Sequence, residues 1–342
     1  MMIGDRGRVA FSIVTPSYNQ GNFLEETICS VLDQGYPNLE YVIIDGGSND
    51  NSVQIIKKYE RHLKHWVSEP DNGQSHAINK GIAHATGNIV NWINSDDVMF
   101  PGSLKLIAKR FEENPDVDIV TGRELRFKIN SEWLHPGSTI HKNQARTVMA
   151  AHCVQPQTFF RKWIFDYFHG VNENYNYLMD AELWVKYLLL FGQSKVMKTN
   201  DYYTKFRVHE NSKTSTAVEK FKKERRALSY SIGCTADLPK FVLDRCISEE
   251  LFEPDHNLRL QITENSETKV KADLKNGIKA LFALHWFEDY YHIGKFKYSR
   301  ILFKQAILYG RMLPKIRLVK LALKLWLLPS FVIEHFRRSQ RI

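Results

Sequence analysis

The sequence predicts an α/β protein: a mainly parallel sheet with flanking helices, followed by a C-terminal helical region. Three observations predict it. Short β-branched runs alternate with amphipathic helical segments over the first 120 residues, a polar cluster follows each run, and strand patterns fade beyond Thr216. Strands separated by helices imply right-handed β-α-β crossovers, which gather ligands outside the carboxyl ends of the strands.

Val9 to Val14 reads as a buried first strand, and Phe23, Leu24, Ile28, Val31 and Leu32 mark one face of the helix after it. Leu39 to Ile44 is the second strand, after which Ser48 or Asp50 can cap a helix running to about Tyr59. His65 to Ser68 forms the third, Ser75 can cap a helix through about His84, and Asn88 to Asn94 makes the fourth. The polar clusters are Thr15 to Asn19, Asp45 to Ser48, Glu69 to Gly73 and Ser95 to Asp97. Between Asp118 and His209 the pattern is mixed, with a helix from near Asp180 to Leu190 and strands near Lys195 to Lys198 and Tyr203 to Val208. Farther on, Glu219 to Ser231, Val270 to Phe287 and Ser299 to Leu308 read as helices. The expected boundary lies near residue 215, separating a domain of residues 1–215 from a mostly helical region of residues 216–342.

At 342 residues, 43% hydrophobic and 25% charged, the chain has the composition of an ordinary globular protein with room for a large core. Cys29, Cys153, Cys234 and Cys246 are too few and too irregularly spaced for a disulfide framework, so a reducing compartment is expected. No apolar run reaches the length of a bilayer span, because Leu321 to Ile333 is cut by Lys324, Pro329 and Ser330. The first ten residues carry Asp5, Arg6 and Arg8 in place of an apolar signal segment, and a cytoplasmic protein is expected. Charge is unevenly placed within the net +9: residues 1–120 hold 10 basic and 16 acidic side chains, residues 301–342 hold 9 and 1. A nucleic-acid partner is therefore not expected, since the motif-rich part is acidic.

Asp96 and Asp97 are adjacent carboxylates at a strand end, a costly arrangement that a divalent cation relieves. Mg²⁺ or Mn²⁺ suits such hard oxygen ligands and completes its shell with substrate phosphate and water. The alternative is plain helix capping of Leu104 to Phe111 by Asp97 or Ser103. Asp45 closes the second strand, where a carboxylate can accept hydrogen bonds from ribose or a base, and Gly46-Gly47 lets backbone approach a ligand; the same residues also make a good turn. Neither G-x-G-x-x-G nor G-x-x-x-x-G-K-[ST] occurs, which removes the usual dinucleotide and P-loop readings.

Taken together, Ser12-Ile-Val-Thr-Pro-Ser-Tyr-Asn19, Val42-Ile-Ile-Asp-Gly-Gly-Ser-Asn-Asp50, the run from Ser68 to Gly81, and Trp92-Ile-Asn-Ser-Asp-Asp97 resemble glycosyltransferase family 2. The resemblance implies a GT-A fold, Rossmann-like with a mainly parallel sheet, an inverting mechanism, and a nucleotide-sugar donor with a divalent cation, Mn²⁺ or Mg²⁺. It assigns donor binding to Thr15, Pro16, Ser17, Asn19, Asp45, Gly46, Asp71, Gln74, Asn79, Ser95 and Asp96, with Asp96 and Asp97 as metal ligands. The motif's usual first Asp is Asn94 here, which makes Asp96 the favoured ligand and Asp97 the second.

Inversion at an anomeric carbon needs a base for the acceptor hydroxyl and an electrophile for the leaving diphosphate. Tyr177 to Trp184 resembles the family's acidic helix start and nominates Asp180, although Met179 and Lys186 replace the usual Glu and Arg. A capping role in the helix's first turn is compatible with that nomination. Phe206 to Thr214 also resembles a family element, whose Arg207, His209 or Lys213 would contact the diphosphate, while His152 and Gln155-Pro156-Gln157 lie where acceptor contacts are often found. The implied activity is transfer of a hexose, with a UDP-sugar favoured, to a saccharide or lipid-linked saccharide in surface-polysaccharide assembly. Its alternative is an inactive nucleotide-sugar-binding or scaffold protein on the same fold. Leu313 to Arg338 reads as a basic amphipathic helix, with Arg317, Lys320 and Lys324 on one face, suited to an anionic membrane surface or to packing on protein. That reading places the chain peripherally on the cytoplasmic face of the inner membrane.

Overall fold

The computed structural model describes residues 9–210, 212–249, 258–260, 262, 269–292 and 296–309. The basic stretch from 313 to 338 lies outside the described residues. Contacts divide the chain into two compact units, residues 1–140 with 151–224, and residues 141–150 with 225–342. Residues 141–150, expected in the first domain, fall in the second unit, whose other part begins at 225.

In the first unit β1 (Phe11–Ser17) leads to α1 (Leu24–Leu32), β2 (Leu39–Asp45) to α2 (Ser52–Tyr59), and β3 (His65–Ser68) to α3 (Gln74–Ala83), before β4 (Ile89–Trp92). Every residue of β1 is buried, as a central parallel strand covered on both faces requires. Leu24, Thr27, Ile28 and Val31 form the buried stripe of α1 at helical spacing. Neither Ser48 nor Asp50 holds the N-cap of α2, which is Asn51 without a side-chain cap; Asp50, one residue ahead, accepts the Ser52 N–H at 2.9 Å. Ser75 does not cap α3, because its hydroxyl is spent on the Tyr175 carbonyl. Likewise neither Asp97 nor Ser103 caps the next helix: Gly102 holds that position at φ +77°, and Ser103 Oγ donates to the Tyr203 carbonyl at 2.8 Å.

The remaining elements are β5 (Val98–Met99), α4 (Ser103–Glu113), β6 (Ile119–Lys128), β7 (Ser131–His135), α5 (Gln144–Ala150), β8 (Thr158–Arg161), α6 (Trp163–Phe168), α7 (Met179–Phe191), β9 (Val196–Arg207), α8 (Lys213–Thr216), α9 (Val218–Thr235), α10 (Lys240–Glu249), α11 (Ala272–His292) and α12 (Phe296–Tyr309). The two strands expected around 195–208 are one strand, β9, whose register against β6 slips twice, between Thr121 and Arg123 and between Arg123 and Leu125. The sheet runs β3-β2-β1-β4-β8-β6-β9-β5, with β7 paired to β6. Its first four strands are parallel, as the crossovers require; β8 then joins β4 and β6 antiparallel, and β5 joins β9 the same way. The sheet is therefore mixed, parallel through its N-terminal part and only once more, between β6 and β9.

A core of Phe11, Ile13, Ile28, Tyr41, Ile43, Ile107 and Phe159 fills one side of this sheet, each buried side chain contributing roughly 1.5–3 kcal/mol. In the second unit α11 packs on α5 and α12, burying Ile278, Leu302 and Ala306. Among the described residues no helix is long and apolar enough to cross a membrane, and Cys29, Cys153 and Cys234 are free thiols.

Candidate active site

Within the first unit the carboxyl ends of β1, β2 and β4 open onto a cavity of about 810 Å³. Pro16 and Ser17 from the end of β1, Gly46 after β2, Asp71 and Gln74 at the start of α3, and Ser95 and Asp96 after β4 line one side. Gly46 is where backbone must come close: a Cβ there would stand 2.8 Å from Asp71 Oδ2. Asp71 is held by the Gly73 N–H at 2.7 Å, in a turn that Gly73 makes at φ +105°.

Other residues assigned to the donor support this wall without lining the cavity. Thr15 is fully buried two positions short of the strand end, with its hydroxyl 3.0 Å from Tyr41 Oη. Asn19, in the left-handed region at φ +52°, ties the first two loops together through Ser48 Oγ and the Asn49 N–H. Asp45 is buried and consumed by the Ser48 N–H and the hydroxyls of Ser48 and Ser68, which lock β2 to β3. Asn79 turns away to hold the backbone of Val171 and the Glu173 carboxylate. Arg207 lies between the rings of Phe23 and Phe127 at 4.9 and 4.4 Å, donates Nε to the Asp96 carbonyl at 2.8 Å and pairs with Glu26. These side chains are already satisfied by protein, so their work is to shape the loops that face the cavity.

The two adjacent carboxylates have parted ways. Asp97 is fully buried, accepts the Arg207 N–H at 3.0 Å and the Asn94 amide at 3.3 Å, and does not line the cavity. Burial and the neighbouring Asp96 push its carboxyl well above the ordinary range. Asn94 accepts from Gln74 Nε2 at 2.7 Å while donating to Asp97. A carboxylate at 94 could do only the first, and would add repulsion beside a buried acid. Asp96 faces the cavity with His209 Nε2 on its Oδ2 at 3.0 Å, and the His209 ring packs on Phe23 at 4.7 Å. A carboxylate with an imidazole on it is a donor set that suits Mn²⁺ or Mg²⁺ with phosphate oxygens completing the shell. Among the described residues no group of three His, Cys, Asp or Glu side chains could hold a metal by itself.

The far side of the cavity carries Asp180, at the second position of α7, beside Met179, Asn176 and Tyr177. Glu182 is buried two residues on and paired with Lys186 at 3.1 Å, away from the cavity. His152 and Gln155-Pro156 reach the lining, while Gln157 is buried on Thr204. Lys213 also lines it, donating to Gln74 Oε1 at 2.9 Å and the Asn176 carbonyl at 3.3 Å; burial holds its ammonium below the ordinary value against the pull of Glu224 and Asp71. Glu124 and Arg126, absent from the residues expected at the site, also line the cavity; they pair at 3.0 Å on β6, with Glu124 also 3.0 Å from His135 Nδ1. The available signal was the alternation Glu124-Leu125-Arg126-Phe127, which puts both charged residues on one strand face, where a buried carboxylate needs a partner or a ligand.

A sheet whose parallel strand ends open onto one cavity, beside an acid-bearing loop and opposite a helix start, has the architecture of the GT-A fold. Residues 12–168 match the family model described as Glycosyl transferase family 2, and the chain carries a domain of that family. It is 27% identical over 223 residues to an uncharacterized glycosyltransferase of Rickettsia typhi, covering 60% of this chain and 66% of the relative. It is 37% identical over 89 residues to the putative teichuronic acid biosynthesis glycosyltransferase TuaG of Bacillus subtilis, covering 25% of this chain and 35% of the relative. The chain thus spans from about a third to just under two thirds of these relatives' own lengths. Among solved structures, S. aureus TarS 1–349 in complex with UDP superposes with a TM-score of 0.53 at 20% identity, covering 80% of each chain. The same protein in complex with UDP-GlcNAc gives 0.53 at 19%, again over 80% of each.

Proposed function

We propose that the chain is an inverting glycosyltransferase that moves a hexose from a nucleotide-diphosphate sugar, by preference a UDP-sugar, to a hydroxyl of a saccharide or lipid-linked saccharide in surface-polysaccharide assembly. The observation that carries this reading is that Asp96, bearing His209, and Asp180 line one cavity from different elements. The UDP and UDP-GlcNAc of the TarS structures support a uridine donor, and the name of the B. subtilis relative supports a surface polymer.

Asp180 takes the proton from the acceptor hydroxyl as that oxygen bonds to the anomeric carbon. The bond from the anomeric carbon to the diphosphate oxygen breaks on the opposite face, and its electron pair leaves with the nucleoside diphosphate. Lys213 stands in the same cavity as the protein's own cation for that departing charge. Asp96 and His209 would hold a divalent cation, which when bound neutralises charge on the diphosphate. Asp71 and the open backbone at Gly46 receive the nucleoside.

The test is a thermal-shift and hydrolysis screen of uridine, guanosine and thymidine diphosphate sugars, run with Mn²⁺ and with EDTA. One uridine donor is expected to raise the Tm, with the rise lost in EDTA and in Asp96→Asn. Absence of stabilisation and turnover with every nucleotide sugar overturns the proposal.

A further inference from the structure

The segment that delivers Asp180 has no capping side chain of its own: Leu178, at the N-cap of α7, makes no side-chain cap. Its backbone polar groups go to distant residues instead. Ser75 Oγ donates to the Tyr175 carbonyl, and Lys213 Nζ donates to the Asn176 carbonyl. Glu224, from α9, accepts three consecutive N–H groups: Asn176 at 2.8 Å on Oε1, then Tyr177 at 2.9 Å and Leu178 at 2.8 Å on Oε2. Three amides in succession make an anion-binding nest, here at the positive end of a helix. Phe221, one turn earlier on α9, packs edge-on against the Tyr177 ring at 5.1 Å, so one helical face grips both backbone and side chain. Glu224 is 6% exposed; burial raises its carboxyl above the ordinary value while the three N–H bonds and Lys213 pull it down.

Asp180 follows Leu178 by two residues, and the intervening Met179 is already helical and buried. We infer, resting on the transferase reading, that Glu224 is a positioning residue that sets where the Asp180 carboxylate stands by clamping the three amides ahead of α7. The charge is needed as well as the shape. A glutamine offers one acceptor oxygen, and its amide nitrogen would meet either the Asn176 N–H or those of Tyr177 and Leu178, donor against donor. Glu224 does not line the cavity, and Gly46, Asp71 and Asp96 of the donor wall stand on other elements than the clamped segment.

Full-length Glu224→Gln and Glu224→Asp are compared with the wild type by transfer kinetics and by amide hydrogen exchange at 176–178. Because a misplacement of about 1 Å can cost on the order of 10²-fold, Glu224→Gln is expected to lower kcat about 10- to 100-fold at nearly constant donor KM. Exchange at 176–178 accelerates in the same variant, and Glu224→Asp, which keeps the charge, retains more kcat than Glu224→Gln. Unchanged kcat, a donor KM that rises as kcat falls, or unchanged exchange at 176–178 overturns the inference. If Glu224→Gln fails to fold, Glu224→Asp decides: kcat reduced at constant donor KM supports the clamp, and unaltered kcat overturns it. A wild type that transfers no sugar refutes the transferase reading, and exchange at 176–178 then still reads the clamp without substrate.

Discussion

Replacing Lys186 with Met tests whether α7 is held by a buried charge pair. Glu182 and Lys186 lie one turn apart, with side chains 0% and 5% exposed and 3.1 Å between Oε2 and Nζ. At an effective dielectric near 20, that separation corresponds to an attraction of about 5 kcal/mol. Removing one partner strands the other charge, so a loss of roughly 3–5 kcal/mol is expected at pH 8. Asn172 Nδ2, at 3.4 Å from Glu182 Oε1, is too long a contact to compensate.

The sign of the pH dependence follows from burial, which raises the folded Glu182 carboxyl above its ordinary value, with Lys186 opposing the rise. Lys186→Met removes the opposition and raises it further. A carboxyl raised in the folded state binds its proton more tightly there than in the unfolded chain. The contribution is therefore full below the ordinary value of 4.5 and is lost as pH rises toward the raised folded value, by about 1.4 kcal/mol per unit between the two. Urea unfolding at pH 5 and pH 8 checks this, and the deficit of the variant should be smaller at pH 5. The double variant Glu182→Leu/Lys186→Met should regain most of the loss. A single variant that costs less than about 1 kcal/mol at pH 8, or the same at both pH values, refutes the argument.

Three further outcomes are expected. Asp180→Asn should lower kcat by about 10²- to 10⁴-fold, leaving the donor's thermal shift intact; equal losses in binding would make Asp180 a donor contact. Gly46→Ala puts a Cβ 2.8 Å from Asp71 Oδ2, and donor affinity measured by calorimetry should fall about tenfold, or roughly 1.4 kcal/mol. Burial would raise the Glu40 carboxyl, but Lys64, Ser12 and Thr86 outweigh it and hold it at about 2. Its contribution is therefore complete above the ordinary value of 4.5 and is lost as pH falls toward 2. Glu40→Gln should lower the Tm at pH 7 through a loss of about 1 kcal/mol, discounted for the carboxylate's partial exposure, and the gap to wild type should close in acid.

Local periodicity and turn chemistry alone determined the four parallel strands, the helices between them and the convergence of their polar ends on one mouth. The helix bearing Asp180 was legible for the same reason. β6, β7 and β8 were not, because the buried side of β6 carries the charged Glu124 and β7 is mostly exposed, so no apolar face marks them, and only pairing across the sheet makes them strands. The roles of the polar side chains at the mouth were likewise decided in three dimensions. Asp45, Asn79, Asp97 and Arg207 have the same chemistry as residues that line the cavity, yet each is occupied by protein partners, some more than a hundred positions away. Glu224 shows the converse. Nothing near it in sequence marks it, and it acquires its place only because α9 returns to the N-terminus of α7, where three unsatisfied amides need one anion.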